Sequence, residues 1–201
     1  MEFRIENAEV YGLNKSVIAS GNAMRTQMSD NTAEASDKDM SRAYKLGSTG
    51  TGEGHDNFLN GIIVQFDLYA PLYMWKQIQR YHFLDFVSSQ STMHRLAKFK
   101  VRDNCVSDTD EVILNRYQEL LDSYNRDIED GKYKPEEDKQ SWRRLVASLP
   151  CGFVLGATMT TNYRQLKTIY KQRKSHRLKE WHEFCDWCET LPHFIELCLK
   201  S

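Results

Sequence analysis

Apolar positions change their spacing several times along the chain, and each change marks an expected element. Residues 3–13 (FRIENAEVYGL) set Phe3, Ile5 and Val10 among polar neighbours and predict an opening strand. Residues 15–28 hold good helix formers interrupted by Gly21 and predict a helix; 29–39 are polar, acidic and without period, so they read as a loop. A short helix is expected at 38–46, followed by a stretch with four glycines between Gly47 and Gly54. Such a loop lets backbone N–H groups approach a ligand closely. Residues 60–69 (NGIIVQFDLY) are β-branched and aromatic and predict a strand whose ladder Pro71 should stop.

The second half repeats the alternation. Residues 72–86 (LYMWKQIQRYHFLDF) predict a helix opening just after the proline, broken by the serine-rich run 87–93. Residues 110–129 place Val112, Ile113, Tyr117, Leu120, Leu121 and Tyr124 at helical spacing behind a Thr109-Asp110 cap. A charged loop (127–138), a short helix (140–148) ending at Pro150, and an apolar strand (153–161) follow. Residues 162–188 read as one or two helices, Leu191-Pro192 breaks the pattern, and a last short helix closes the chain. No internal repeat is visible.

Composition narrows the classes. The 201 residues suit one domain spanning 1–201, and a net charge of −1 gives no case for a nucleic-acid or membrane partner. The five cysteines are an odd number in a long chain, which argues against a secreted disulfide framework. Glu2, Arg4 and Glu6 precede any apolar run, so no signal peptide is expected. The longest apolar stretch, 62–75, is broken by Gln65 and Asp67 and is too short to span a bilayer. These observations predict a soluble protein of the reducing cytoplasm.

Four constellations could carry chemistry. On the helix predicted over 72–86, Gln77, Arg80 and Tyr81 share a face with Tyr73 and Met74, so the face looks inward. An inward arginine needs an anion, which either a ligand phosphate or an internal carboxylate can supply. After Asn162, the residues Leu166, Ile169 and Tyr170 mark an apolar stripe that Arg173 continues. Residues 164–180 hold seven Lys/Arg and one Glu, among which Lys167, Lys171, Lys174 and Lys179 read as a solvated face. Without aromatic residues interleaved on that face, nucleic-acid binding is disfavoured. The run Ser88-Ser89-Gln90-Ser91-Thr92-Met93-His94 could hydrogen-bond a polar ligand or merely cap a turn. It lacks a nucleophile-elbow motif for serine chemistry. Cys185-x-x-Cys188 is a weak metal signal, with only His182 and His193 near it, and packing cysteines with no metal are expected.

The motifs then fall into an order that resembles the flavin-dependent thymidylate synthases. Gly54-His55, the apolar run, Ala70-Pro71 and Gln77-x-x-Arg80 stand in the family's sequence without a gap. Leu149-Pro150, Asn162-Tyr163-Arg164-Gln165-Leu166, Arg173, His176 and Glu180-Trp181 match a second block, the last pair in reversed order. Departures are equally plain. The family's Arg-His-Arg is Arg80-Tyr81-His82 here, and its Asn-Glu-x-Ser-x-Arg segment is replaced by 89–94, so the activating serine falls on Ser91 or Thr92 and a carboxylate is lost at Ser89 or Gln90.

The resemblance implies an α+β fold with a central β-sheet flanked by helices, assembled as a homotetramer. It implies an enzyme that methylates dUMP to dTMP, or acts on a closely related pyrimidine nucleotide, using FAD, NADPH and methylenetetrahydrofolate. The cofactor carries the chemistry and the protein supplies orientation and electrostatics. Under it, His55, Arg80, Tyr81, His82 and Asn162 would line FAD. Gln77, Arg80, Ser91 and Arg173 would hold the nucleotide, and Arg80, Gln90 and Ser91 would serve catalysis. The alternative is a relative that kept the fold and binds nucleotide or nucleic acid without turnover.

Overall fold

The computed structural model describes residues 1–28, 34–50, 52–132 and 139–200. Parts of the loops expected at 29–39 and 127–138 (29–33 and 133–138), and Thr51 in the glycine-rich stretch, lie outside the described residues. Strands β1 (Arg4–Tyr11), β2 (Ile63–Pro71), β3 (Asp85–Ser89) and β4 (Val154–Asn162) form one sheet in the order β1-β2-β4-β3. Tyr163 N–H donates to the Ile62 carbonyl (3.0 Å) and Leu72 N–H to that of Phe153 (3.0 Å), so β2 and β4 run antiparallel. The helices are α1 (Leu13–Ala19), α2 (Asp37–Gly47), α3 (Leu72–Ile78), α4 (Thr92–Arg95), α5 (Val101–Asn104), α6 (Glu111–Glu129), α7 (Lys139–Ser148), α8 (Tyr163–Arg173) and α9 (Lys179–Thr190). Short 3₁₀ turns lie at Asn22–Met24, Asn57–Gly61 and Leu96–Lys98, and a π-turn at Ile195–Leu199. Sheet and helices alternate along the chain, which is the expected α+β class.

Packing divides the chain into two compact units, and the division falls within the strands. One unit comprises Met1–Arg4, Leu68–Arg80 and Ser88–Ala157; the other comprises Ile5–Asp67, Tyr81–Val87 and Thr158–Ser201. In the first, α6 buries Leu114, Tyr117, Leu121 and Tyr124, spaced three or four apart, against Leu96, Val101, Leu145 of α7 and Phe153. Asp110 opens α6 by accepting from the N–H groups of Val112 (2.8 Å) and Ile113 (3.4 Å). Val112 and Ile113 themselves, expected on the apolar stripe, are 74% and 51% exposed, because the first turn lies off the line that Leu114 begins. In the second unit, Phe66 of β2 stacks on Trp187 and Phe184 of α9 at 4.6 and 6.4 Å between centroids. Tyr163 of α8 packs edge-on to Phe194 and donates its hydroxyl proton to the Pro192 carbonyl (2.7 Å).

Three elements depart from the sequence pattern. The helix expected over 15–28 ends as α1 at Ala19, before Gly21, whose missing Cβ would lie 2.6 Å from the Arg42 guanidinium carbon. Pairing does not stop at Pro71: Leu72 and Tyr73 N–H groups still donate to Phe153 and Cys151 (3.0 and 3.2 Å) while α3 begins. The helix expected over 72–86 ends at Ile78, and 85–89 form β3 instead. Edge pairing beside β4 overrides helical spacing there. Gln90 N–H donates to the Gly156 carbonyl (2.9 Å), and the Thr161 hydroxyl donates to the carbonyl of Phe83 (2.6 Å), itself in the left-handed region.

Removing the Asp110 carboxylate leaves two first-turn N–H groups of α6 without their acceptor. Asp110→Ala is expected to cost about 1 kcal/mol, read as a fall of about 2–4 °C in Tm for a chain of this size. An unchanged unfolding midpoint would show that the cap does not stabilise α6.

Candidate functional site

In the second unit, α8 and the glycine-rich stretch are joined by a buried charge pair. Lys167 is 1% exposed, and its Nζ donates to the carbonyls of Gly47 (2.7 Å) and Thr49 (2.7 Å) and to Oδ2 of Asp56 (2.9 Å). Asp56 is fully buried and accepts from Arg164 Nε through Oδ1 (3.1 Å). The solvated reading of Lys167 is therefore overturned, while Lys171, Lys174 and Lys179 are exposed as expected. The signal was present in the phase: Lys167 stands four residues after Tyr163 and three before Tyr170, both buried. Asp56 gave no such sign, because it sits in a turn with no period. Gly52 and Gly54 adopt left-handed backbone (φ 103° and 80°), and among the described residues, chain neighbours aside, no atom lies within 4 Å of where a Cβ would stand. His55 beside them is exposed.

Arg173, at the end of α8, is half-buried in an aromatic cradle. Its guanidinium carbon lies 4.5 Å from the Trp181 ring centroid and 5.4 Å from that of Tyr81. Its Nε donates to the Tyr81 hydroxyl (2.6 Å), which donates onward to Gln172 Oε1 (3.1 Å). Burial, then the charges of Arg173, His182 and Arg177, hold the nearby His176 below the usual imidazole range. Neutral His176 accepts from Leu178 N–H through Nδ1 (3.1 Å). Asn162, at the β4–α8 junction, is buried and caps α8 by accepting from Gln165 N–H (2.9 Å). His82 is exposed. The structure thus brings Tyr81 and Arg173 into contact.

In the first unit, Gln77 is half-buried on α3, and Arg80 is exposed two residues beyond the helix end. The inward-facing placement expected for Arg80 does not hold, because α3 stops at Ile78. Gln90 Oε1 accepts from Gly156 N–H (2.8 Å). Gly156 has no room for a side chain: a Cβ would lie 2.7 Å from the Tyr69 ring, over which Arg4 stacks at 3.6 Å. Ser91 caps α4 by accepting from His94 N–H (3.3 Å). The capping reading of this hydroxyl-rich run is thereby realised for Ser91.

Cys185 and Cys188 are buried in α9 among the aromatic residues, and burial pushes the Cys185 thiol up to about 11 and that of Cys188 well above its ordinary value. Among the described residues no group of three or more His, Cys, Asp or Glu side chains could hold a metal ion.

Searches of known protein families and of curated proteins found no match to this chain. Solved structures do match. The flavin-dependent thymidylate synthase ThyX of Helicobacter pylori, complexed with FAD and dUMP, is similar at a TM-score of 0.69 and 16% identity, with 100% of both chains covered. A second structure of Helicobacter pylori ThyX with FAD and dUMP gives 0.72 and 15%, again over 100% of both chains. The UMP/dUMP methylase PolB of Streptomyces cacaoi, bound with 5-Br dUMP, gives 0.63 and 15% over 98% of this chain and 91% of that one. The fold is that of the flavin-dependent thymidylate synthases, as the two motif blocks implied.

Tyr81→Phe removes the hydroxyl between Arg173 and Gln172 while keeping the ring. It is expected to lower stability by about 0.5–1.5 kcal/mol, the range for one hydrogen bond. Urea unfolding reads the difference, and a loss indistinguishable from zero would detach Tyr81 from Arg173.

Proposed function

On this fold we propose that the chain is an FAD-dependent, thymidylate synthase-like methyltransferase acting on a pyrimidine nucleotide, with dUMP the first substrate to test. The observation that carries the reading is Arg173, oriented by Tyr81 and Trp181 at the edge of a buried core. A guanidinium so placed suits a phosphate. The full-length likeness to proteins solved with FAD and dUMP or with 5-Br dUMP supports the ligand class.

The residues present fit a flavin nucleotide in one respect that the backbone decides. Gly52 and Gly54 are left-handed and open on the side where a Cβ would point, so phosphate oxygens can reach the main chain. His55, Asn162, Arg80, Tyr81 and His82 are assigned to FAD. Bound FAD, reduced by NADPH, supplies the hydride, and methylenetetrahydrofolate supplies the carbon. No protein nucleophile is needed, so the side chains bind and orient. Arg173 neutralises the nucleotide phosphate, Arg80 places positive charge for either ligand, and Gln77, Gln90 and Ser91 orient the base.

A homotetramer is part of the same proposal. Edge strand β3 and the turn before it leave Phe83, Phe86 and Val87 at 67%, 44% and 56% exposure, an apolar surface suited to a second copy. A reducing cytoplasm is supported by five free cysteines, four of them buried. No helix among the described residues is long and apolar enough to cross a membrane.

A binding protein without turnover is the second reading, and one observation favours it. Gln90 Oε1 and Ser91 Oγ, both assigned to catalysis, already serve Gly156 N–H and His94 N–H in local structure.

The freshly purified protein is expected to show a flavin absorption spectrum, or to acquire one on addition of FAD. With dUMP, NADPH and methylenetetrahydrofolate it should yield a nucleotide heavier by one methylene group in mass spectrometry. Flavin uptake with no product from either dUMP or UMP would leave the binding reading in its place; no uptake of flavin would end the proposal. Arg173→Ala is expected to weaken dUMP binding by about 1.5–3 kcal/mol, as for hydrogen bonds to a charged group. Equal affinity by titration calorimetry would remove Arg173 from the nucleotide site.

A further inference from the structure

Apart from the buried Asn162, the function just proposed uses exposed and half-buried groups; the most deeply buried charges of the second unit, Lys167 and Asp56, have no part in it. An ammonium group has three N–H donors, and all three of Lys167 are committed: to the carbonyls of Gly47 and Thr49, and to Asp56 Oδ2. Asp56 in turn holds Arg164 through its other oxygen. One side chain of α8 thus gathers the backbone where the chain leaves α2 and fastens it to the residue that follows His55.

The geometry of the peptide bond turns this fastening into an orientation. A trans peptide is planar, and its C=O and N–H point in opposite directions. With the Thr49 carbonyl aimed inward at Lys167, the N–H of the same peptide, that of Gly50, must aim outward. It does so, and it already carries an anion's oxygen: Glu53 Oε1 accepts from Gly50 N–H at 3.2 Å. The carboxylate of Glu53, on an exposed side chain, stands where a phosphate oxygen would stand.

We infer that the buried Lys167–Asp56 pair is a positioning device, which fixes the Thr49–Gly50 peptide so that Gly50 N–H faces the phosphate of the bound dinucleotide cofactor. Neither residue touches the ligand; both act through the backbone of the loop. The inference rests on the flavin reading above and names the anion-facing amide within it. Lys167→Gln offers two donors for three acceptors, and Asp56→Asn leaves the ammonium without its counter-charge. Each single variant carries the added penalty of an unmatched buried group. The double variant, Asp56→Asn with Lys167→Gln, removes both charges of the pair at comparable volume and leaves Arg164, 31% exposed, an amide oxygen in place of the carboxylate.

The experiment measures Tm and the Kd for FAD, by quenching of flavin fluorescence, in the wild type, both single variants and the double variant. Amide exchange at Gly50 is followed by NMR in the same samples. Each single variant is expected to lose stability, to bind FAD about tenfold more weakly, and to exchange faster at Gly50, since a loosened supporting residue misplaces the group it holds. The double variant should recover most of the lost Tm while its FAD affinity stays about tenfold down. Affinity that recovers together with Tm would make the pair a brace for the fold alone and overturn the inference. An unchanged Kd in Lys167→Gln would do the same. If the wild type takes up no FAD, the flavin reading has failed separately. Exchange at Gly50 in the double variant then decides: faster exchange at restored Tm supports the orienting role, and unchanged exchange overturns it.

Discussion

Strand β4 lies between β2 and β3, and a strand with a neighbour on each side has backbone donors and acceptors to pair along both edges. That constraint organises much of what surrounds it. It explains why pairing with β2 runs on past Pro71, where the sequence has a natural stop, and why α3 must follow at once. It explains why residues 85–89, lying within a run with helical spacing, are extended. It also sets Gly156 where it is. The pleat brings the Tyr69 ring against that position on one side, while the Gln90 amide reaches its N–H. A Cβ there would overlap the Tyr69 ring and crowd Gln90 Oε1 at 3.3 Å.

Much of the element order was legible in the residues, because long periodic segments such as 110–129 carry their own evidence. The likeness of fold was legible too, through Gly54-His55, Gln77-x-x-Arg80 and the Asn162 block. What escaped had a common cause, namely tertiary context acting on weak local signals. β3 is five residues long and entirely exposed, so neither its apolar content nor its spacing announces a strand. Arg80 faces outward because a helix that looked long enough to carry it ends two residues earlier. Lys167 sits within a charge run whose composition points to solvent, although the phase of Leu166 and Tyr170 puts it on the buried side. Its partner Asp56 lies in a turn, where only the folded chain identifies the contact.

Several assigned polar groups are also structural parts. Asn162 caps α8, Ser91 caps α4 and Gln90 fastens β4, each through a side-chain oxygen. Substitution at these positions therefore acts on stability whatever else it changes. Arg173 differs in that two aromatic faces and a hydroxyl hold its guanidinium.

The Asp56–Lys167 pair joins positions 111 residues apart in the chain. During synthesis at ~5–20 residues per second, roughly 6–22 s separate the emergence of one partner from that of the other. Over that interval the glycine-rich stretch has left the ribosome without the ammonium that gathers its carbonyls, and Asp56 is still hydrated. The nascent chain therefore passes through a period in which its amino-terminal half is complete yet lacks the shape of this loop. The shape of this loop must wait for the carboxy-terminal helices, which makes it a late product of folding rather than a seed for it.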